Sequence, residues 1–187
     1  MRIVLATRNA HKVEEMQQLL PDLALLPLPS DAPDPEETGA TFLDNARIKA
    51  LSAALHTGLP ALADDSGICI EALGGAPGVH SARWVSEKDW IPTVLEKLAG
   101  KVGEERSARY VCVLSLMAPD GTVLAESEGT FEGRIAEEAR GTNGFGYDPI
   151  FLVPPGYTQT VGEITREEKH ARSHRGVAAR RLRENLH

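Results

Sequence analysis

At 187 residues, with 42% apolar and 25% charged side chains, the chain has the length and composition of a globular protein with a real core. Its net charge of −7 opposes general adhesion to polynucleotides or acidic membranes, both of which select a basic surface. A small anionic ligand stays compatible, because a local group of cations or a metal ion can hold it.

No apolar run approaches the length of a bilayer span, and the start, MRIVLATRN, lacks the plan of a secretory signal. A cytoplasmic protein that binds neither membrane nor polynucleotide is the expectation. One domain over 1–187 is expected, with two lobes sharing a cleft as the variant. Cys69 and Cys112 sit in apolar, strand-like surroundings without CxxC spacing, as suits reduced core thiols.

In chain order, Ile3-Val4-Leu5-Ala6 is a short apolar run fitted to a strand buried on both faces. Val13, Met16, Leu19 and Leu20 give Lys12 to Leu20 helical spacing, and Pro21 ends it. Leu23 to Leu28 suits a second strand, and Pro29 to Glu37, with two prolines and four acids between Asp31 and Glu37, an exposed loop. Thr41 and Asp44 have capping-box spacing ahead of a stripe through Leu43, Ala46, Ala50, Ala54 and Leu55, which Gly58 terminates.

Ala61-Leu62-Ala63 and Ile68 to Glu71 are extended, and Gly74-Gly75 and Pro77-Gly78 then turn the chain. Ser86 to Ala99 reads as a helix, and Ser107 to Met117 with Thr122 to Ile135 as a hairpin around Pro119-Asp120-Gly121. Pro149 to Val153 suits another strand. Glu163 to Leu186 is helical in composition, with a break near Ser173 that can cap a last helix. Strands mixed with helices, including a hairpin, indicate an α/β protein with a mixed sheet.

Four stretches could carry chemistry. Thr7 to Lys12 is a polar loop leaving a buried strand and opening a helix, where α/β proteins offer backbone N–H groups to phosphate. It has no P-loop glycines, and taken alone such a stretch is more often a plain strand–helix connection. Glu36, Glu37, Asp44, Asp64 and Asp65 form an all-oxygen set suited to Mg²⁺ or Mn²⁺ and not to zinc, for which the six histidines lack spacing. Neighbours on an extended chain point to opposite sides, so Asp64 and Asp65 should do different jobs, one reaching a cleft and one bonding to backbone. A metal site and a capped turn both remain open.

Gly141 to Pro149 surrounds Phe145 and Tyr147 with glycines, allowing close backbone approach and stacking on a base, or else a loop whose aromatics plug the core. Lys169, Ser173, His174 and Arg175 broadly share a face if the helix is continuous, and cations at a helix start hint at an anionic partner. Arg180, Arg181 and Arg183 suit a solvated helix end.

Thr7-Arg8-Asn9-Ala10-His11-Lys12, Glu36 to Phe42, Ala63-Asp64-Asp65-Ser66-Gly67, Gly74 to Gly78, Gly144-Phe145-Gly146-Tyr147-Asp148-Pro149 and Ser173-His174-Arg175 follow one another across nearly the whole chain. In this order they resemble the inosine triphosphate pyrophosphatase family, which clears ITP, dITP and XTP from the nucleotide pool. The resemblance implies an elongated mixed sheet flanked by helices, two lobes around a central substrate cleft, and a homodimer.

By position it also implies substrate binding by Thr7, Arg8, Asn9, Ala10, His11, Lys12, Ser66, Phe145, Gly146, Tyr147, Asp148, Lys169, His174 and Arg175. Asp65 would be the catalytic acid, with Glu36 and Asp65 holding Mg²⁺, for which Mn²⁺ can substitute. The reaction would be hydrolysis of a nucleoside triphosphate to the monophosphate and pyrophosphate. Two positions depart from the family pattern: Arg8 stands where Gly is common, and Asp44 where Glu is usual. Two rival readings are a Maf-like nucleotide pyrophosphatase of other specificity and a non-catalytic nucleotide-binding protein. The first lacks the GFGYDP and SHR elements, and the second would not need Asp65 and Glu36.

Overall fold

The computed structural model describes residues 1–186. Six strands form one mixed sheet in the order β2-β1-β3-β4-β5-β6. Strand β1 (Arg2–Leu5) runs parallel to both neighbours, β2 (Ala24–Pro27) and β3 (Ala61–Ile70), with Arg2 opposite Ala24 and Val4 opposite Ala61. An inner parallel strand is covered on both faces, which is why Ile3, Val4 and Leu5 form an unbroken apolar run and are all buried. β4 (Ser107–Met117) and β5 (Val123–Ile135) flank a turn closed by the Ala118 N–H on the Thr122 carbonyl at 2.8 Å. β6 (Phe151–Leu152) pairs antiparallel with β5.

The chain divides into two compact units. One comprises Met1–Asp65, Cys112–Gly129 and the chain from His174 onward; the other comprises Ser66–Val111 and Thr130–Ser173.

In the first unit, the two-residue period of the strands sorts side chains into two apolar clusters. Ile3, Leu5 and Leu62 pack with Met16 and Leu20 of α1 (Ala10–Leu19) and its following turn, and with Ala178 and Leu182 of α5 (His174–Asn185). Val4, Ala6, Ala61 and Ala63 pack with Ala50, Ala53 and Ala54 of α2 (Phe42–Thr57). Alanines on that face let α2 lie close to the strands. Ala53 supplies the position expected of Leu55, which is 63% exposed. Thr41 and Asp44 make the capping box, and Gly58 ends α2 in the left-handed region at φ 67°.

The second unit is built on Ile68, Ile70, Val94, Leu98, Tyr110, Phe131, Ile135, Phe151 and Ile164. A single 3-10 turn, Glu87–Asp89, precedes α3 (Trp90–Lys97), so the helix expected over Ser86 to Ala99 is shorter. Arg106 is buried and donates to the carbonyls of Ile135 at 2.7 Å, Leu98 at 2.9 Å and Ala136 at 2.6 Å, tying α3 to the end of β5. Thr165 caps α4 (Arg166–Arg172) by accepting from the Glu168 N–H at 3.2 Å.

The extended stretches at Ala61–Ala63 and Ile68–Ile70 are one strand, β3, which runs through Asp64-Asp65 without a turn. The expected break in the C-terminal helical region falls at Ser173, which takes an extended conformation with ψ 156° between α4 and α5. Among the described residues no helix is long and apolar enough to cross a membrane.

Candidate active site

Asp64 and Asp65 continue the alternation of β3 into charge. Asp64 follows Leu62 to the side of α1 and α5, where Lys12 Nζ meets its Oδ2 at 2.8 Å and Arg175 Nη2 at 3.3 Å. Arg175 also pairs through Nη1 with Glu15, so the buried Glu15, Asp64 and Arg175 join the half-buried Lys12 in one linked ion-pair group. Burial opposes ionisation of Asp64, but Lys12, Arg175 and Lys49 outweigh it and hold the carboxyl well below the usual range. The same carboxylates keep the Arg175 guanidinium charged against its own burial.

Asp65 follows Ala63 to the α2 side. Lys49 Nζ donates to its Oδ1 at 2.9 Å and Asn45 Nδ2 to its Oδ2 at 3.3 Å. Lys49 is shared, since its Nζ also lies 3.0 Å from Glu37 Oε1. Burial raises the Asp65 carboxyl, Glu37 adds to the rise, and Lys49 only partly opposes it. For Lys49, burial lowers basicity, yet Asp64, Asp65 and Glu37 together raise it. The expectation of different jobs within the pair therefore has a geometric basis. The partners of Asp65 are the side chains of α2, however, and not the backbone.

The Thr7 to Lys12 loop is closed by its own side chains. Thr7 Oγ1 accepts from the Asn9 N–H at 3.1 Å, and Asn9 Oδ1 accepts from His11 at 3.0 Å and Lys12 at 3.3 Å, capping α1. Among the described residues the Arg8 and Ala10 N–H groups have no acceptor, so they are the loop's open donors. Arg8 turns outward to the acidic loop, donating to the Ala32 carbonyl and lying 3.9 Å from Asp34. Glu36 is exposed; it is Glu37 that reaches Lys49. Asp44 is engaged in the α2 cap, its Oδ2 accepting from Thr41 Oγ1 at 2.7 Å.

A second polar group lies in the other unit around Asp148, which is buried. Its Oδ1 accepts from Tyr110 Oη at 3.0 Å, and its Oδ2 from Lys169 Nζ at 3.1 Å and the Phe145 N–H at 2.9 Å. Burial and the adjacent carboxylate push the Tyr110 phenol well up, so it stays a donor. Lys169 Nζ also sits 4.5 Å from the Phe145 ring centre. Gly144, at φ 73°, leaves room for Asp148; a Cβ there would collide with the Asp148 carboxylate. Tyr147 is a core residue, stacked on Trp90 with centroids 5.3 Å apart and donating to the Ser81 carbonyl at 2.9 Å. Phe145 is half-buried, in contrast to the buried Tyr147. Ser66, half-buried, belongs to this unit, while His174 is buried at the start of α5 in the first.

Lys169 and Arg175 thus belong to different polar groups, because Ser173 separates their helices. The sequence reading passed over Asn45, Lys49 and Glu15. A signal for the first two existed: they stand one turn apart beside Ala46, Ala50 and Ala53, polar positions on the apolar face of α2.

The Ham1 family profile matches residues 3–185 of this chain. A dITP/XTP pyrophosphatase of Symbiobacterium thermophilum is 50% identical over 189 residues, covering 99% of this chain and 94% of that protein. Among solved structures, a HAM1 protein from Coxiella burnetii superposes with a TM-score of 0.89 at 47% identity, covering 100% of this chain and 98% of that one. The Ham1 protein of Staphylococcus aureus gives a TM-score of 0.88 at 37% identity over 100% of this chain and 98% of its own.

Proposed function

This chain belongs to the Ham1 family, and from that premise we propose that it hydrolyses dITP, ITP and XTP to the nucleoside monophosphate and pyrophosphate. The observation that carries the catalytic assignment is the unequal charge on the two faces of β3. Around Asp64, the contacts with Lys12 and Arg175 hold the carboxyl down; around Asp65, Lys49 lies against both the Asp65 and the Glu37 carboxylates, and the Asp65 carboxyl is pushed up. Asp64 is therefore a neutralised structural anion, and Asp65 is the carboxylate with negative charge to spare.

The donor set on the Asp65 face suits a divalent cation. Its donors are carboxylate oxygens, the ligands that Mg²⁺ and Mn²⁺ prefer. The raised Asp65 carboxyl reports an uncompensated buried charge that such an ion would relieve. Asp65 and Glu37 would hold the ion; Glu36, the metal partner implied by the resemblance, is exposed, and the described residues show no group of three acidic or histidine ligands. When bound, magnesium supplies neutralisation of the charge on the phosphate oxygens.

Asp65 acts on the attacking water. Both of its oxygens already accept one hydrogen bond from α2, which fixes the carboxylate plane and leaves a second lone pair on each. Lys12, whose side chain is 17% exposed, and the open N–H groups of Arg8 and Ala10 bind phosphate oxygens.

Base selection falls to the Gly144–Asp148 loop. The Phe145 N–H is committed to Asp148, while the Gly144, Gly146 and Tyr147 N–H groups have no acceptor among the described residues, and we assign the Gly146 N–H, next to Phe145, to a 6-oxo group. Adenine would place its 6-amino donor against that donor, and such mismatches reject by about 10⁴-fold or more. Phe145 stacks on the base. Lys169, held by Asp148, completes the contact.

We take the enzyme to act in the cytoplasm as a homodimer, which light scattering checks. The activity is tested by pyrophosphate release from dITP, ITP, XTP, GTP and ATP, with Mg²⁺ and with excess chelator. Comparable kcat/KM for ATP and ITP would refute the specificity, and full turnover in chelator the metal.

A further inference from the structure

Asn45 is fully buried, at 0% exposure, and its amide faces two different groups. Its Oδ1 lies 2.8 Å from the Gly39 N and its Nδ2 lies 3.3 Å from Asp65 Oδ2. Which end of the amide is oxygen is fixed by chemistry: a backbone N–H can only donate, so Oδ1 must face Gly39 and the NH₂ must face the carboxylate. Gly39 is the residue that permits the approach. A Cβ there would stand 2.5 Å from Asp44 Cβ and 2.6 Å from Asn45 Oδ1.

One helical turn later on α2, Lys49 holds the other oxygen of Asp65 at 2.9 Å and Glu37 of the same acidic loop at 3.0 Å. Asn45 and Lys49 therefore clamp the Asp65 carboxylate at both oxygens while fastening the acidic loop at Gly39 and Glu37. From this geometry we propose that Asn45 is a positioning residue: it sets the rotation of Asp65 and latches the loop that brings Glu37 beside it. This rests on Asp65 being the catalytic carboxylate. The clamp works from a well-packed element, since the neighbouring positions Ala46, Ala50, Ala53 and Ala54 seat α2 on the strands.

Two variants separate the halves of the role. In Asn45→Asp the new carboxylate still accepts from Gly39 and, when ionised, meets Asp65 with an acceptor in place of the donor; in Asn45→Ala both bonds are lost. Amide exchange at Gly39 is read without substrate, and kcat and KM are read with dITP and Mg²⁺. Asn45→Asp is expected to keep wild-type exchange at Gly39 while kcat falls about 10²-fold, the cost of a misplaced catalytic group, and KM stays within about threefold. Asn45→Ala is expected to lose kcat likewise and to exchange at Gly39 about tenfold faster or more.

Wild-type kcat in folded Asn45→Asp would overturn the positioning of Asp65, and unchanged Gly39 exchange in Asn45→Ala would overturn the latch. If circular dichroism shows that Asn45→Asp does not fold, Asn45→Ala decides, and wild-type kcat per folded molecule there overturns the role. If the wild-type protein releases no pyrophosphate at all, the catalytic assignment fails, while Gly39 exchange still decides the latch by itself.

Discussion

Replacing Asp64 and Asp65 in turn by asparagine should separate stability from activity. Asp64→Asn removes the one anion that Lys12 and Arg175 both contact and leaves those cations, with side chains 17% and 2% exposed, facing a neutral amide. Breaking a buried ion pair from one side costs about 3–5 kcal/mol. In a chain of this size each kcal/mol moves Tm by roughly 2–4 °C, so a fall of about 6–20 °C is expected. Asp65→Asn keeps an acceptor for Lys49 but sets an NH₂ against the Asn45 NH₂, while it removes a carboxylate that burial and Glu37 already disfavour, so stability should fall by at most about 1–3 kcal/mol, less than in Asp64→Asn. Its kcat should nevertheless fall by about 10²-fold or more.

The pH dependence carries a matching sign. The folded Asp64 carboxyl lies below its unfolded value of about 3.9, so its stabilisation is present above that pH and is lost as pH falls through the folded value. Wild-type protein should therefore lose Tm below about pH 4 more steeply than Asp64→Asn does. Asp65 has the opposite sign, because a raised folded carboxyl contributes stability below its unfolded pKa and loses it as pH rises. Thermal melts by circular dichroism at neutral pH decide the matter. An Asp65→Asn protein that melts below Asp64→Asn would refute the division of the pair.

Lys169→Ala strands the buried Asp148 carboxylate, so Tm should fall on the scale of about 3–5 kcal/mol, and it removes the cation beside Phe145, so KM for dITP should also rise, with a smaller change in kcat. Arg175→Ala leaves Glu15 and Asp64 short of a buried partner, so it should act first on Tm, with a loss on the scale of about 3–5 kcal/mol. Arg8→Gly frees the Ala32 carbonyl, and hydrogen exchange over residues 29–37 should quicken with Tm changed by less than about 1 kcal/mol.

What could be read from the sequence was local. The Thr41–Asp44 box follows from capping chemistry within a few residues and occurs where the pattern put it, whereas the Asn9 cap starts α1 at Ala10, two residues before the expected Lys12. The different fates of Asp64 and Asp65 follow from strand alternation, which needs no tertiary knowledge. Their partners could not be read in the same way. Lys49 and Asn45 reach Asp65 across 16 and 20 positions because α2 packs its alanine face on β3, and Arg175 reaches Asp64 across 111. Lys169 and Arg175, six apart, look like neighbours on a helix until Ser173 breaks it. Tyr147 looks as available as Phe145 until Trp90, 57 positions earlier in the chain, is seen stacked on it.

The unequal charge around Asp65 is itself a stability cost, and Glu37 tests whether function maintains it. Glu37 pairs with Lys49 at 3.0 Å and pushes the Asp65 carboxyl up. In Glu37→Gln the new side chain can still accept from Lys49, but one carboxylate now faces one ammonium. The folded protein should gain stability at neutral pH, by up to about 1 kcal/mol, as sites relieved of functional strain commonly do. The same change withdraws a negative oxygen from the set proposed for Mg²⁺, so the Mg²⁺ concentration for half-maximal activity should rise by about 10-fold or more, the scale for a lost contact at a charged site. A higher Tm together with a weaker metal response is the expected pair. A lower Tm with unchanged Mg²⁺ dependence would show that Glu37 serves only to hold the acidic loop on Lys49, and the deficit of positive charge around Asp65 would then have no bearing on catalysis.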